Sequence, residues 1–399
     1  MIQGNNDLSL PEKYNGLGYR NLISMYFRLI QFREKWLEAL KTGKDTTPKI
    51  HLVFIEEPEA HLHAQAQQVF IRKALEALND SELIRTDDSL KTQLVISTHS
   101  NHIVNELDIK SLKYFRRVID PTIHIPVSMV VNLSRVFGDD KETSKFVTRY
   151  IRLTHCDIFF ADAAILVEGA AERILMPRFL QLEGMSTNYI AIIEINGSHA
   201  HRFRSLIEKL GIPTLIITDI DASQESIEEE KTYWKSVITD RGKGYKTNND
   251  SIKKWIIGKE NIDELLDLSS EYKVTGNVRL AYQTQISVRW NNVEPGALVY
   301  PYTFEDALIF TNLKLFKGDK IKGMGTATTI YNDCKKAANI HVLQEIISNQ
   351  LEKKQCSKAE FANSLLYEDI FDGLKIPQYI SEGLQWLKKN LEIEKENKR

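Results

Sequence analysis

Between residues 163 and 221 the chain carries three short apolar runs rich in β-branched residues, at Ala163–Val167, 189–195 and 214–218, separated by two segments of helical periodicity. Runs of four to seven such residues are too short for buried helices and read as strands. Strands that alternate with helices define an α/β arrangement, here βαβαβ with a parallel sheet. Acidic residues stand where these strands end. Glu168 and Gly169 close the first strand, Glu172 follows on the first turn of the next helix, and Asp219 and Asp221 close the third. Open α/β sheets bind ligands beyond the carboxyl ends of their strands, which is where all four carboxylates fall.

Carboxylates crowded at one sheet edge repel one another, and a hard divalent cation relieves the repulsion while keeping places for water and phosphate oxygens. Such a cation stabilises charge on a phosphate and generates an attacking hydroxide, and a pair can clamp the attacking and leaving oxygens. The competing reading makes Glu168 and Glu172 helix N-terminal acids and Asp219 and Asp221 loop caps. Both pairs at matching strand ends of one βαβαβ unit favour the metal reading.

The phrases VEGAAE and TDID resemble the two acidic motifs of a TOPRIM domain, and THCDIFFADAAILVEGAAERILMPRFL resembles more specifically the OLD (overcoming lysogenization defect) family of ATPase-coupled TOPRIM nucleases. The resemblance extends into the first third of the chain and, more weakly, to the C-terminal helices. It implies a Mg²⁺- or Mn²⁺-dependent DNA endonuclease using two ions, in a setting of bacterial or phage defence. Glu168, Glu172, Asp219 and Asp221 would be metal ligands and catalytic groups. In VYPYTFEDALI, Glu305 is the closer match to a late acidic residue that completes the metal site, with a helix N-terminal acid as the competing explanation. KKQCSKAEFANSLL resembles the family's lysine-containing segment, so Lys358, ahead of a helix bearing Phe361 and Leu365, would neutralise charge near the scissile phosphate.

Upstream, a polar, Gly-containing segment runs into a helix, and a helix N-terminus behind such a turn can hold phosphate. NGLGY, with Gly16 and Gly18, resembles a degenerate ABC/SMC signature motif; a loop-to-helix cap explains it equally well. HLVFIEEPEAHLH is an apolar strand at 51–55 ending in Glu56 and Glu57, as in a Walker B element where one acid holds Mg²⁺ and the next orients water. His61 and His63 also admit a zinc reading, with imidazoles alternating on a strand, although the family context favours a structural role. A helix at 65–78 precedes a strand at 93–97, which delivers Thr98, His99 and Ser100 to the sheet edge; His99 matches the ABC switch histidine. No GxxxxGK[ST] occurs, and RGKGYK lacks its spacing. ATP is therefore expected only with a Walker A-bearing partner or N-terminal half, and the chain reads as the C-terminal part of a longer or split protein.

The expected organisation is a partial ABC-type ATPase domain over 1–125, a connector over 126–157 with a helix at 141–153, and a TOPRIM domain with helical insertions over 158–399. An acidic helix is expected at 225–234. Beyond it Lys243, Lys246, Lys253 and Lys254, interleaved with Tyr245 and Trp255, form the candidate DNA-contacting patch. The tail reads as solvated helix or disorder. The 52 basic and 54 acidic residues leave a net charge of −2, so any nucleic-acid surface must be local. Three scattered cysteines argue for a reducing cytoplasm without disulfides or structural zinc. No apolar run suits a membrane. A homo-oligomer formed through the ATPase part and an ATPase or helicase-like partner are further expectations. The reading from another class is a non-catalytic DNA-binding or regulatory module.

Overall fold

The computed structural model describes residues 16–42, 48–119, 125–137, 140–228, 231–256, 258–289, 296–318, 321, 325–352, 357–366 and 372–398. They fall into two compact units, residues 1–112 with 148–160 and residues 113–147 with 161–399. Residues 113–147, which span the end of the expected ATPase domain and most of the expected connector, thus cluster with the second unit.

In the first unit β1 (Ile50–Glu56) and β2 (Lys91–Ser97) pair in parallel, with Ile50 opposite Lys91 and Glu56 opposite Ser97. The helix Ala64–Asn79 makes the crossover between them, and Leu17–Lys41 packs against that helix. Apolar residues alternate along β1 so that Val53 enters a core with Leu29, Phe70, Ile71, Ala74, Leu78 and Ile103. On the other face Ile50, Leu52, Phe54 and Val95 are exposed. Both strands extend slightly beyond the runs read from the sequence, β1 by Ile50 and Glu56 and β2 by Lys91 and Thr92, which complete the ladder.

The second unit opens with an antiparallel ribbon, β3 (Lys113–Ile119) and β4 (Pro126–Asn132), and the first half of the helix Lys141–Thr154, whose residues from 148 onward belong to the first unit. Its core is a five-stranded sheet. The strands are β5 (Ala163–Val167), β6 (Ile190–Glu194) and β7 (Thr214–Ile217), followed after an insertion by β11 (Val274–Thr275) and β12 (Val278–Ala281). The spatial order is β11-β12-β7-β5-β6, parallel except at the β11 edge. Every residue of β5, β7 and β12 is buried, whereas β6, at the edge, alternates. That is the expected consequence of helices covering both faces of a parallel sheet. The α/β class with parallel strands is therefore present as the sequence implied. Because β6 lies on one side of β5 and β7 on the other, the chain reverses direction across the sheet at the carboxyl end of β5, the place where such folds leave a crevice.

The insertion holds the main correction. The described residues of 225–234 are strand and not helix: β8 (Ala222–Glu228) and β9 (Lys231–Ser236) pair antiparallel, with β10 (Lys246–Thr247) on the other side of β8. Thr232, Tyr233 and Trp234 favour an extended chain, and adjacent glutamates gain nothing from stacking on one helical face. A short hairpin, β13 (Ile286–Val288) and β14 (Ala297–Val299), then leads into the helix Phe304–Thr311. The helices Gly325–Lys336, Ile340–Glu352 and Lys358–Ser364 enlarge the same core through Ile330, Leu343 and Phe361. Helix Gln378–Lys398 packs along β7 and β12, so the described part of the tail is helical.

Gly18 has a packing reason for its identity. A Cβ there would lie 2.3 Å from the carbonyl oxygen of His61, while Asn21 Nδ2 donates to the Ala60 carbonyl at 3.0 Å. Alanine normally stabilises a helix interior by about 0.5–1 kcal/mol over glycine. Here Gly18→Ala should instead destabilise by about 1–3 kcal/mol, since the opposing group is backbone. Urea unfolding of the two proteins side by side measures the sign.

Candidate functional site

The parallel sheet brings the predicted carboxylates together. Glu168 follows the last residue of β5, Glu172 lies in the first turn of the helix Ala170–Leu182, and Asp219 and Asp221 follow β7. Glu305 and Asp306 enter from the first turn of Phe304–Thr311, whose N-cap is Thr303. Lys358, the first residue of its helix after the Ser357 cap, places Nζ 3.0 Å from Glu305 Oε2.

The acids are strongly sequestered. Glu305 is 0% exposed, Asp306 2%, Glu172 3% and Asp219 7%. Asp219 Oδ1 accepts from Gln283 Nε2 at 2.6 Å and from the Phe304 amide at 3.0 Å, which places it against a helix N-terminus. Glu168 Oε1 accepts from the Thr218 hydroxyl and from Asn249 Nδ2 at 2.8 Å. Asp221 Oδ2 lies 3.2 Å from the same amide. Asp306 Oδ2 accepts from the Tyr302 amide at 3.3 Å. By contrast, Glu305 Oε1 and Asp306 Oδ1 are buried and accept no hydrogen bond. Asp221 also has φ 46°, an infrequent backbone conformation that Asp tolerates better than most residues.

Burial and mutual repulsion raise the proton affinity of the group. Burial, then Asp221, lifts Glu168 to about 7; burial, then Asp219, lifts Asp221 to about 7. Burial lifts Asp219 to about 8 against the pull of Lys358, with Glu168 and Glu305 adding to it. Asp306 rises to about 7 through burial and Glu305, and Glu172 rises through burial, Glu305 and Asp219. Burial opposes the charge on Lys358, but Glu305, Asp219 and Glu172 together raise its pKa above the ordinary lysine value. The buried Tyr379 hydroxyl, 3.5 Å from Gln283 Nε2, is raised by burial and the same three acids.

These donors match a hard divalent cation in kind: all are carboxyl groups, and two buried oxygens are unpartnered. Among the described residues no group of three or more His, Cys, Asp or Glu side chains is arranged to hold a metal ion as it stands. The positive charge within the cluster is the Lys358 ammonium.

Thr218, Asn249, Gln283 and Tyr379 were not singled out from the sequence, and Asp306, beside Glu305 in the same phrase, gave way there to Glu305 as the closer match. The neutral residues gave no signal, since a hydroxyl or amide becomes informative only once its neighbours are known.

In the first unit Glu57 and His99 meet, with Oε1 and Nε2 3.7 Å apart and both side chains well exposed. Glu56, at the end of β1, is also exposed. Glu57 has φ 44° and its amide donates to the Ser97 carbonyl. Glu59, which sequence reasoning passed over, holds the 98–100 turn by accepting from the His99 amide at 2.6 Å and the Thr98 hydroxyl at 2.8 Å. Gly16 precedes the helix Leu17–Lys41 and Gly18 lies within it; Asn15 falls outside the described residues. His61 and His63 occupy the turn after β1 and the cap of the next helix, so they do not alternate on a strand.

The basic patch is looser than expected. Trp255 is 3% exposed beneath the Arg204 guanidinium and presents no stacking face. Lys243 pairs with Asp240, Lys246 lies over Trp234, and Lys254 Nζ is 3.1 Å from His201 Nε2. Lys253 and Tyr245 are half-buried.

Comparison with known proteins now defines the class: residues 1–104 match an AAA ATPase domain, and residues 159–221 match the TOPRIM domain of overcoming lysogenization defect protein-like chains. The chain thus joins an ATPase domain to an OLD-like TOPRIM domain. It is homologous to endonuclease GajA of Bacillus cereus (strain HuB5-5), at 32% identity over 97% of this chain and 55% of that protein. It is also homologous to the OLD nuclease of Thermus scotoductus (strain ATCC 700910 / SA-01), at 27% identity over 54% of this chain and 37% of that protein. It spans only about half of the first relative's length, by the 55% figure. The C-terminal region of the Burkholderia pseudomallei OLD protein aligns at TM-score 0.33 and 18% identity, covering 58% of this chain and 99% of that one. No helix among the described residues is long and apolar enough to cross a membrane.

The raised carboxyl pKa values have a signed consequence. A folded-state pKa above the unfolded value of about 4 means the folded protein holds more protons, so stability falls as pH rises through that window. For Asp219, Glu168, Asp221 and Asp306 the loss runs from about pH 4 to 7 or 8. His51 and His201, lowered chiefly by burial, act with the opposite sign below their ordinary pKa. The melting temperature in chelator should therefore decline from pH 6.5 to 8.5, and Asp219→Asn should flatten the decline. A scanning-calorimetry series at fixed ionic strength checks both.

Proposed function

We propose that this chain is a metal-dependent DNA endonuclease that hydrolyses phosphodiester bonds at the TOPRIM site, under control of its ATPase part. The carrying observation is the convergence of Glu168, Glu172, Asp219, Asp221 and Glu305 on one sheet edge with the Lys358 ammonium paired to Glu305. The endonuclease relatives support the reaction class. Magnesium or manganese, as two ions, would be held by those five acids and would supply Lewis-acid stabilisation of the phosphate and an activated water.

The side chains divide the work. Glu168 and Asp221 form the less deeply buried side of the cluster; Glu172 and Glu305 form the fully buried side, and Asp219 interacts with members of both. Gln283, Thr218 and the Phe304 amide orient acceptor oxygens so that ionised carboxylates face the substrate. Lys358 keeps 45% side-chain exposure while pairing with Glu305, which lets its ammonium meet developing charge on a phosphate oxygen. Lys243, Lys246, Lys253 and Lys254 are the proposed contacts to the DNA backbone.

Glu56, Glu57 and His99 are the proposed ATP-facing residues, with Gly16 and Gly18 near the phosphate end. Hydrolysis would need a phosphate cradle and lysine from a Walker A-bearing partner or N-terminal half. A role in phage defence, a cytoplasmic setting, self-association through the ATPase part and an ATPase or helicase-like partner complete the reading.

Asp219→Ala should abolish plasmid cleavage while circular dichroism stays native, and Lys358→Ala should lower the single-turnover rate by roughly 10²-fold with DNA affinity little changed. Nicking by the Asp219 variant at limiting Mg²⁺, or an unaltered rate for Lys358→Ala, would remove that residue from the site. Lys353 and Lys354, the next candidates, lie outside the described residues.

The chain by itself should release negligible phosphate from ATP. Hydrolysis by the purified chain that disappears in Glu57→Gln would contradict the need for a partner cradle.

A further inference from the structure

Asn249 is fully buried, at 0% exposure, and precedes the helix Asp250–Trp255. Its side-chain oxygen caps that helix, accepting from the Ser251 amide at 2.9 Å and the Ile252 amide at 3.2 Å. The NH₂ end points into the acidic cluster. Four acceptors surround it: Glu168 Oε1 and Thr218 Oγ1 at 2.8 Å, the Asp219 carbonyl at 2.9 Å and Asp221 Oδ2 at 3.2 Å. An NH₂ group has two hydrogens, so the acceptors share them.

A cap alone does not call for asparagine, because serine, threonine and aspartate cap about as well. The other end makes the choice. Aspartate would add a carboxylate beside two that already repel, and serine cannot reach across the gap while capping the helix. Asparagine is short enough to cap and still offers a neutral donor to both acids.

We propose that Asn249 is a positioning residue, holding Glu168 and Asp221 in mutual register so that both present oxygen to one cation; this rests on the metal-dependent reading above. Glu168 follows β5 and Asp221 follows β7, and the amide joins the two loops by side-chain hydrogen bonds. The Thr247 hydroxyl fixes the bridge in turn, donating to the Ile220 carbonyl at 2.7 Å and accepting from the Asn249 amide at 3.1 Å. The backbone amide of Asn248 donates to the carbonyl of Asp221, whose φ is 46°, at 2.8 Å, which ties that residue to the same bridge. Groups that orient metal ligands commonly contribute 10- to 100-fold in affinity.

The test is Mn²⁺ binding to the full chain, followed by electron paramagnetic resonance of the free ion, for the unsubstituted protein, Asn249→Ser, Asn249→Thr and Asp219→Ala. Serine and threonine keep the cap and remove the amide. About tenfold weaker Mn²⁺ binding in both, with the metal-free melting temperature retained, is the expected result. Unchanged affinity overturns the proposal. Affinity and melting temperature falling together in both variants also overturn it, since a structural role alone would then suffice. If the unsubstituted chain and Asp219→Ala bind Mn²⁺ alike, the cation reading itself is lost, whatever the Asn249 variants do.

Discussion

The structure of the second unit is organised around repulsion held in check. Six carboxyl groups converge where a parallel sheet ends, and nothing in their own chemistry favours that company. What holds them is the rest of the fold. Strands β5, β7 and β12 are buried throughout their lengths, and the apolar area removed from water stabilises at roughly 25 cal/mol per Å², far exceeding the cost of a few protonated acids. The raised pKa values measure the same strain from the other side, since the groups retain protons where free carboxyls would have lost them.

Three devices moderate the repulsion, each with a different reach. Lys358 supplies full charge, chiefly to Glu305. The Phe304 amide and its helix supply a partial charge to Asp219. Asn249, Gln283 and Thr218 supply oriented dipoles. Two oxygens, on Glu305 and Asp306, are left without any of these. Buried polar atoms seldom remain so, and their position inside the acidic cluster is what ties the unsatisfied electrostatics to chemistry.

Much of this was legible in the amino-acid order, for a physical reason. A central parallel strand must be apolar on both faces, so AAILV and TLII announce themselves, and the acids that follow them can only lie at the carboxyl edge. Glu305 and Lys358 were found through phrases resembling a family, and the structure puts them in contact. Asn249 was not legible. It sits within RGKGYKTNND, where the lysines drew attention, and an amide has no charge to mark it. The strand pair β8 and β9 was misread because its acidic run suggested a solvated helix, while cross-strand pairing such as Ser223 with Ser236 has no local signature. Trp255 likewise offered an aromatic among lysines, and only packing shows that it faces inward.

The central place of β5 bears on how the site loses order. Its backbone is hydrogen-bonded to β6 on one side and β7 on the other, so amides in this strand should exchange with solvent only in the largest opening events of the unit. Lys358 rides instead on a seven-residue helix that packs against Ala170–Leu182, the helix bearing Glu172, and against Gly325–Lys336. The counter-charge and one of the acids, Glu172, are thus carried by helices packed on one another, so a local opening that frees the one also loosens the other.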